Sequence, residues 1–300
     1  MSKESSLLLF FKLLRPHQWS KNTLLFVPLL ATHQISDGFS LKKLVVGFFA
    51  FSLCASTVYI INDLIDLDHD RKHPIKKHRP FAAGEISPRA GAALVPMFLT
   101  LSALLAFWVR MEFLLILSAY FLVTCAYSLW LKRISPVDCT TLAILYTLRI
   151  VAGATAVKVP LSYWLLTFSF FIFLSLANLK RYADLQLQSS LGKTNLDGLG
   201  YTYSDAALVR TIGICSGFTA SLVLALYLQG ETVVILYSRP EFIWITVPLI
   251  LLWINWLWVK AERGQLQVDP LDFALRDKAS IFLGIVILSC FFLASNRISF

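Results

Sequence analysis

Long apolar stretches follow one another down this chain, separated by short polar links: 22–36, 43–64, 91–109, 113–131, 138–157, 160–179, 207–229, 241–259 and 279–296. A helix needs about 20 mostly apolar residues to cross a bilayer. In lipid every backbone N–H and C=O must be satisfied within the segment, which a helix achieves alone and an isolated strand cannot. The pattern therefore predicts an all-α, polytopic membrane helical bundle with about nine transmembrane helices. The first stretch is the shortest and carries His33. Composition supports the reading. Hydrophobic residues make up 57% of the chain and charged residues 15%, too little charge to cover a soluble surface. The same figures exclude a disordered chain, a collagen-like one and a secreted disulfide scaffold. Cys54, Cys125, Cys139, Cys215 and Cys290 form no C-x-x-C pair, so they read as small buried hydrophobes.

No cleavable signal is expected. The apolar patch at the N-terminus is interrupted by Lys12 and Arg15, and residues 7–14 read as a short amphipathic helix lying on the membrane surface. With the N-terminus in the cytoplasm, twenty of the 27 Lys and Arg fall on the cytoplasmic side, six on the far side, and Arg149 inside a span. That asymmetry follows the positive-inside rule and favours an odd number of spans. Three cytoplasmic links are long, 65–90, 180–206 and 260–278, which places a functional site on that face. One domain is expected over 1–300. The net charge of +9 follows membrane topology and not one basic surface, so no nucleic acid is expected as a partner.

The second stretch ends in Y-I-I-N-D-L-I-D-L-D-H-D-R-K. On a helix Asn62, Asp66 and Asp70 stand at i, i+4 and i+8, drifting about 40° per step. Asp63 flanks the same stripe, and Asp68 points away from it. Carboxylates crowded where hydration is being lost repel one another, and a hard divalent cation removes the conflict. Magnesium suits the oxygen donors, since it keeps some waters and commonly uses one or two carboxylates plus substrate phosphates. Asn62, Asp63, Asp66 and Asp70 are the expected ligands; the three histidines nearby, His69, His73 and His78, are not. The alternative is a solvated helix end.

The sign of the charge then reverses through Arg71, Lys72, His73, Lys76, Lys77, His78 and Arg79. A basic loop beside a magnesium site fits a diphosphate; the other reading is an anchor facing anionic lipid. Arg71, Lys76 and Arg79 are the favoured phosphate contacts, because they adjoin the acids or the turn punctuated by Pro80 and Gly84.

N-D-x-x-D-x-x-x-D at 62–70, R-P-F-A-A-G at 79–84 and L-R-I-V-A-G-A at 148–154 resemble the UbiA-type intramembrane prenyltransferase superfamily over nearly the whole chain. One feature departs from the aromatic prenyltransferases of that superfamily, which carry a second aspartate cluster on a later helix. Here the corresponding loop reads L-K-R-Y-A-D-L-Q-L-Q, with Asp184 followed four residues later by Gln188 and preceded by Lys180 and Arg181. That variant, together with R-P-H-Q-W-S-K-N at 15–22 and D-P-L-D-F-A-L-R-D at 269–277, is similar to the decaprenyl-phosphate phosphoribosyltransferase branch.

The resemblance implies transfer of 5-phosphoribosyl from phosphoribosyl diphosphate to a polyprenyl phosphate lipid, with Mg2+, in a bacterial-type inner membrane, and also a homo-oligomer. Phosphoribosyl diphosphate is anionic at both ends and its acceptor adds a third anion, so this chemistry asks for more cations and fewer carboxylates than aromatic prenylation. Asp66, Asp70 and Lys180 are the expected catalytic groups. Lys180 and Arg181 are expected to position a terminal phosphate, and Asp184 a ribose hydroxyl or a cation. Tyr182 and Tyr201 are candidate donor-site hydroxyls.

Lys21 and Asn22 line the donor site by resemblance; interfacial snorkelling and a helix cap are the other reading. Arg149, a costly charge inside a span, either meets the lipid phosphate or pairs with Asp138, and Tyr146 lines the same cavity. Asp269, Asp272, Arg276 and Asp277 either cap the site or form a surface loop. Two other functions remain in view. Aromatic prenyl transfer from a prenyl diphosphate, for example onto 4-hydroxybenzoate, keeps the first motif but expects the missing carboxylates. A transporter would place its charges at the midplane on interrupted helices.

Overall fold

A computed structural model of the chain describes residues 11–31, 37–72, 76–192, 196, 198–230, 233, 237–266 and 268–295, apart from the side chains of residues 69, 72 and 76. The described residues are mostly helical, without strands. Among the described residues eight helices are long and apolar enough to span a membrane. We number their α-helical bodies α1 (Gly38–Ile65), α2 (Pro88–Val109), α3 (Met111–Leu129), α4 (Val137–Val157), α5 (Tyr163–Ser190), α6 (Ala206–Tyr227), α7 (Thr246–Glu262) and α8 (Lys278–Ser295). The chain is an integral membrane protein.

The ninth stretch, 22–36, takes a different form. Pro16–Phe26 is a 3-10 helix, and Val27–Ala31 is a single α-helical piece; residues 32–36 lie outside the description. Of the surface helix expected over 7–14, only 11–14 are described. They are helical, but Leu13 and Leu14 are buried beside Ile60, Phe81 and Phe98 instead of facing lipid.

The chain forms two compact units. The first holds residues 1–128 and 148–160, the second 129–147 and 161–300. Helix α4 contributes its first half to the second unit and its last turns to the first.

In the first unit α1 packs chiefly on α2 and on the Pro16–Phe26 segment. Lipid tails are as apolar as Leu, so helices in a membrane associate through close packing and hydrogen bonds. Many of the buried positions of α1 are accordingly small, Gly47, Ala50, Ser52, Cys54, Ala55 and Ser56 among them, with Leu44, Phe51, Val58 and Ile60 filling the space between. Ser102 on α2 donates to the Ala50 carbonyl at 2.7 Å. Gly153 on α4 lies so close to Leu25 that a Cβ there would fall 2.0 Å from its carbonyl oxygen. Only glycine fits.

In the second unit α5 packs on α6, and α7 packs against both. Gly213 and Gly217 on α6 make room for Trp258 and Ile254 of α7. Large exposed apolar side chains such as Phe282, Ile285, Leu288 and Phe292 on α8 are what a lipid-facing surface requires. The expected link 180–206 is shorter than predicted. α5 continues to Ser190, so residues 180–188 are its last turns and not a loop. An i,i+4 ion pair supports those turns, and the first left-handed residue is Gly192, at φ 75°.

Candidate functional site

The first charged cluster is built where α1 runs out. Asp66 caps α1, its N–H bonded to the Asn62 carbonyl at 2.9 Å, and the Asp70 N–H returns to the Asp66 carbonyl at 2.8 Å. The break at Asp66 is thus slight, and Leu67–Lys72 continues nearly along the helix path. Asp68 turns outward, as the spacing predicted, and pairs with exposed Arg71 at 3.5 Å.

The loop that follows folds back through Arg79. The turn 79–84 closes with the Ala83 N–H on the Arg79 carbonyl at 2.8 Å, and Gly84 takes φ 74°. Phe81, 1% exposed, anchors this turn in the core formed with Leu13, Leu14, Ile60 and Phe98. Arg79 donates to Asp63 Oδ1 at 3.0 Å and to Asp70 Oδ2 at 2.7 Å, bridging two carboxylates.

Arg15 adds a second cation. It donates to both oxygens of Asp63, at 2.8 and 2.7 Å, and lies over the Tyr59 ring at 5.0 Å. Sequence reasoning placed Arg15 in a motif but not in the site. Its backbone is left-handed, at φ 50°, a costly state for a non-glycine residue. No local pattern marks a contact 48 residues away, so only the fold exposes it.

Asp63 is therefore already neutralised by two arginines. Asn62 donates its amide to Ser128 Oγ at 3.0 Å, which leaves its carbonyl oxygen for another partner. Asp66 makes no side-chain hydrogen bond among the described residues, and Asp70 Oδ1 is buried without one. A buried carboxylate oxygen without a donor is costly. The oxygens open to a hard cation are thus those of Asp66, Asp70 Oδ1 and Asn62. Among the described residues no three His, Cys, Asp or Glu side chains converge as a complete metal cage. That donor set matches a cation completed by phosphate oxygens and water. The side chain of Lys76 lies outside the described residues, and Arg71 is exposed.

Behind this cluster the first unit holds a buried polar chain. Arg149, 7% exposed, donates to Asn22 Oδ1 at 3.0 Å and to the Tyr120 hydroxyl at 2.8 Å, while Asn22 donates to Ser52 Oγ at 3.1 Å. Asn22 is thus part of a buried network and not a surface cap; Lys21 beside it is half-buried. The alternative of an Arg149–Asp138 pair fails on helix geometry. Eleven residues of α4 put about 16 Å of axis between them.

The second cluster occupies the end of α5 in the other unit. Asp138, fully buried, receives Arg181 at both oxygens, at 2.5 and 3.0 Å. Lys180 donates to Asp184 Oδ1 at 2.6 Å, and Arg181 reaches Asp184 Oδ2 at 3.3 Å. Tyr182 points elsewhere. Its hydroxyl donates to Glu262 Oε2 at 2.6 Å and accepts from Gln186 at 2.7 Å. Trp258, one turn before Glu262, donates to Ser175 Oγ at 3.3 Å, so α7 grips α5 twice. Tyr201 is buried with its hydroxyl 3.4 Å from Cys139 Sγ. Burial, with Cys139 and the Asp138 carboxylate beside it, pushes its phenol well up, which keeps it neutral. Tyr146 stacks on Phe173 at 4.9 Å between centroids. Asp269 and Asp277 cap the helices that follow them, and Arg276 is exposed.

Comparison with known proteins fits this geometry. Residues 23–295 match the model of the UbiA prenyltransferase family. The chain belongs to that family. Its members are transferases, and this chain is one by membership. The relatives include an uncharacterised Sinorhizobium fredii protein, y4nM, 38% identical over 94% of this chain; the chain spans only 55% of that protein. The nodulation protein NoeC of Azorhizobium caulinodans is 34% identical over 89% of this chain and 87% of its own length. A decaprenyl-phosphate phosphoribosyltransferase of Mycobacterium tuberculosis is 32% identical, with the same two coverages. Among solved structures, a UbiA homologue from Archaeoglobus fulgidus bound to GPP and Mg2+ superposes with a TM-score of 0.70. It is 22% identical and covers 96% of this chain and 100% of its own. That likeness establishes the fold.

Proposed function

We propose that this protein transfers a 5-phosphoribosyl group from phosphoribosyl diphosphate to a polyprenyl phosphate, with magnesium, at the cytoplasmic face of a bacterial inner membrane. The observation that supports this most is the end of α5. It offers two cations, Lys180 and Arg181, one carboxylate, Asp184, and an amide, Gln188, where a second acidic motif would place a carboxylate. Relatives named decaprenyl-phosphate phosphoribosyltransferase, 30–33% identical, point the same way. The reading treats 1–300 as one functional domain, assembled as a homo-oligomer.

In this mechanism Asp66 and Asp70 hold the metal, with Asn62 beside them and Asp63 kept in register by Arg15 and Arg79. Bound there, magnesium neutralises the diphosphate and stabilises the charge it gains on leaving. Arg79, with Lys76 ahead of it in the same link and Arg71 on the short helix before that link, shares that load. The bond from C1 of the ribose to the diphosphate breaks, and the diphosphate leaves with the electron pair. A new bond forms from C1 to a phosphate oxygen of the lipid. That oxygen is already ionised at neutral pH, so no general base is needed. Lys180 and Arg181 hold a terminal phosphate, Asp184 orients Lys180 toward it, and Lys21 and Asn22 belong to the donor side. Arg149 serves the lipid phosphate or holds the polar chain that shapes its cavity. Tyr182 and Tyr201 act from the protein side, as clamps on α5 and on α4.

The test is a direct competition. Purified protein in lipid is given labelled phosphoribosyl diphosphate with polyprenyl phosphate, or a labelled prenyl diphosphate with an aromatic acid. Label entering the lipid phosphate only in the first case supports the proposal. Label entering the aromatic acid overturns it.

A further inference from the structure

The polar residues at the end of α5 share one stripe. Arg181, Asp184 and Gln188 stand at i, i+3 and i+7, two helical turns apart end to end. The first two are engaged, Arg181 with Asp138 and Asp184, and Asp184 with Lys180. Gln188 is not: its Oε1 is buried with no hydrogen-bond partner. Among the described residues only Asp70 Oδ1 shares that condition. Buried polar atoms are normally paired, and an unpaired one calls for a missing partner. The two orphans differ in kind. Asp70 offers a carboxylate, which a cation satisfies. Gln188 offers a neutral amide carbonyl, which a hydroxyl satisfies.

We propose that Gln188 Oε1 accepts a hydrogen bond from a ring hydroxyl of the sugar in the donor, and so makes the site select a sugar diphosphate over a prenyl diphosphate. This rests on the phosphoribosyl reading above. Position 188 lies one turn beyond Asp184, on the side of α5 that carries the phosphate-holding cations. A sugar seated there brings hydroxyls to the amide. A prenyl chain has none and would leave the carbonyl buried and unmatched. Sites built to hydrogen-bond a hydroxyl reject analogues that lack it far more strongly than apolar pockets reject a changed methylene. A carboxylate at 188 would instead attract a metal and repel a phosphate, so the amide separates the two chemistries.

The experiment is a substitution cycle. The wild type and Gln188→Leu are compared with phosphoribosyl diphosphate and with its 2-deoxy and 3-deoxy analogues, by transfer kinetics and by calorimetric binding of the donor. For the wild type, one deoxy analogue should bind about tenfold more weakly than the parent. In Gln188→Leu the parent should weaken about tenfold and that analogue should fare no worse than the parent, so the two losses do not add. If the analogue's penalty persists undiminished in Gln188→Leu, or neither change has an effect, Gln188 holds water only and the proposal is overturned. Should Gln188→Leu not purify as a monodisperse species, Gln188→Asn, which withdraws the carbonyl by one methylene, is read by the same criteria. Coupling in binding without transfer would overturn the phosphoribosyl reading alone; transfer without coupling would overturn this inference alone.

Discussion

The two units solve the same problem in opposite ways. Each carries a charged cluster where an apolar helix ends, and each sets arginine against aspartate. In the first, Asp63 pairs with Arg15 and Arg79 and Asp70 with Arg79, and among the described residues Asp66 and Asp70 Oδ1 have no hydrogen-bond partner. In the second, Lys180 pairs with Asp184 and Arg181 with Asp138, and what remains open is a neutral amide. A cluster with open carboxylate oxygens asks for a cation. A cluster whose ions are already paired is pre-set to exchange one partner for a phosphate. On the proposed function, the first cluster would supply metal ligands and the second anion contacts, without a second acidic motif.

The comparison breaks most sharply at Asp66. Asp66→Ala removes an open oxygen donor but no side-chain bond made among the described residues. Transfer should fall by about three orders of magnitude, the scale of losing a main electrostatic contact in a transition state, with an unchanged elution profile in detergent. Retained activity would remove the metal from this cluster.

Arg181 and Asp138 come next, and here stability is read first. The pair is buried, with side-chain exposures of 10% and 0%. Deleting one partner of such a pair costs about 3–5 kcal/mol, whereas replacing both with apolar residues can be nearly neutral. Asp138→Leu should therefore lower the thermal aggregation midpoint more than Asp138→Leu combined with Arg181→Leu. Both variants should fail in transfer. If the double variant remained active, the paired cluster would be structural only.

Arg15 tests the other side with a smaller effect. Its guanidinium holds both oxygens of Asp63 through one nitrogen while lying over the Tyr59 ring, and a lysine, a compact and strongly hydrated charge, does not reproduce that stacking. Arg15→Lys should cut transfer about tenfold and leave the protein folded, and it should raise the magnesium concentration needed for half-maximal rate, because Asp63 would then be free to drift from register. A lower rate with an unshifted magnesium requirement would make Arg15 a tether for the N-terminal segment.

How legible was this in the sequence? The spans were, because apolar runs of membrane length admit few alternatives. The acidic stripe was too: with spacings of one, four and eight residues, a helix leaves little choice about which face Asn62, Asp66 and Asp70 share. The end of α5 looks like a loop in the sequence, since residues 180–188 carry charge and a hydropathy pattern cannot tell a polar loop from a helix that outruns the apolar run. Asp63 was read as a metal ligand, but it is held by Arg15 and Arg79. That pairing depends on contacts 48 and 16 residues apart, which no spacing rule reaches. Of the two sequence readings of Arg149, the pair with Asp138 fails because that residue, close in sequence, is out of reach along the helix, while Asn22, which it does meet, lies 127 residues away.

The smallest effect belongs to Asp277, a carboxylate of the second unit that caps α8. It accepts from the Ser280 N–H at 2.9 Å and hydroxyl at 2.8 Å, and from the Trp256 indole at 3.0 Å. Burial alone would push the carboxyl up, but these donors outweigh it and hold it below its ordinary value near 3.8. A carboxyl depressed by folding stabilises the fold fully above its unfolded value, and that contribution drains away as the pH falls through the folded one. Asp277→Asn should lower stability by about 1 kcal/mol at neutral pH, the usual worth of a cap, and should show a shallower loss than the wild type below about pH 4. Transfer at neutral pH should be unchanged. If instead the rate fell while the thermal midpoint held, Asp277 would belong with the charges that handle substrate, and the second unit would carry an open carboxylate after all.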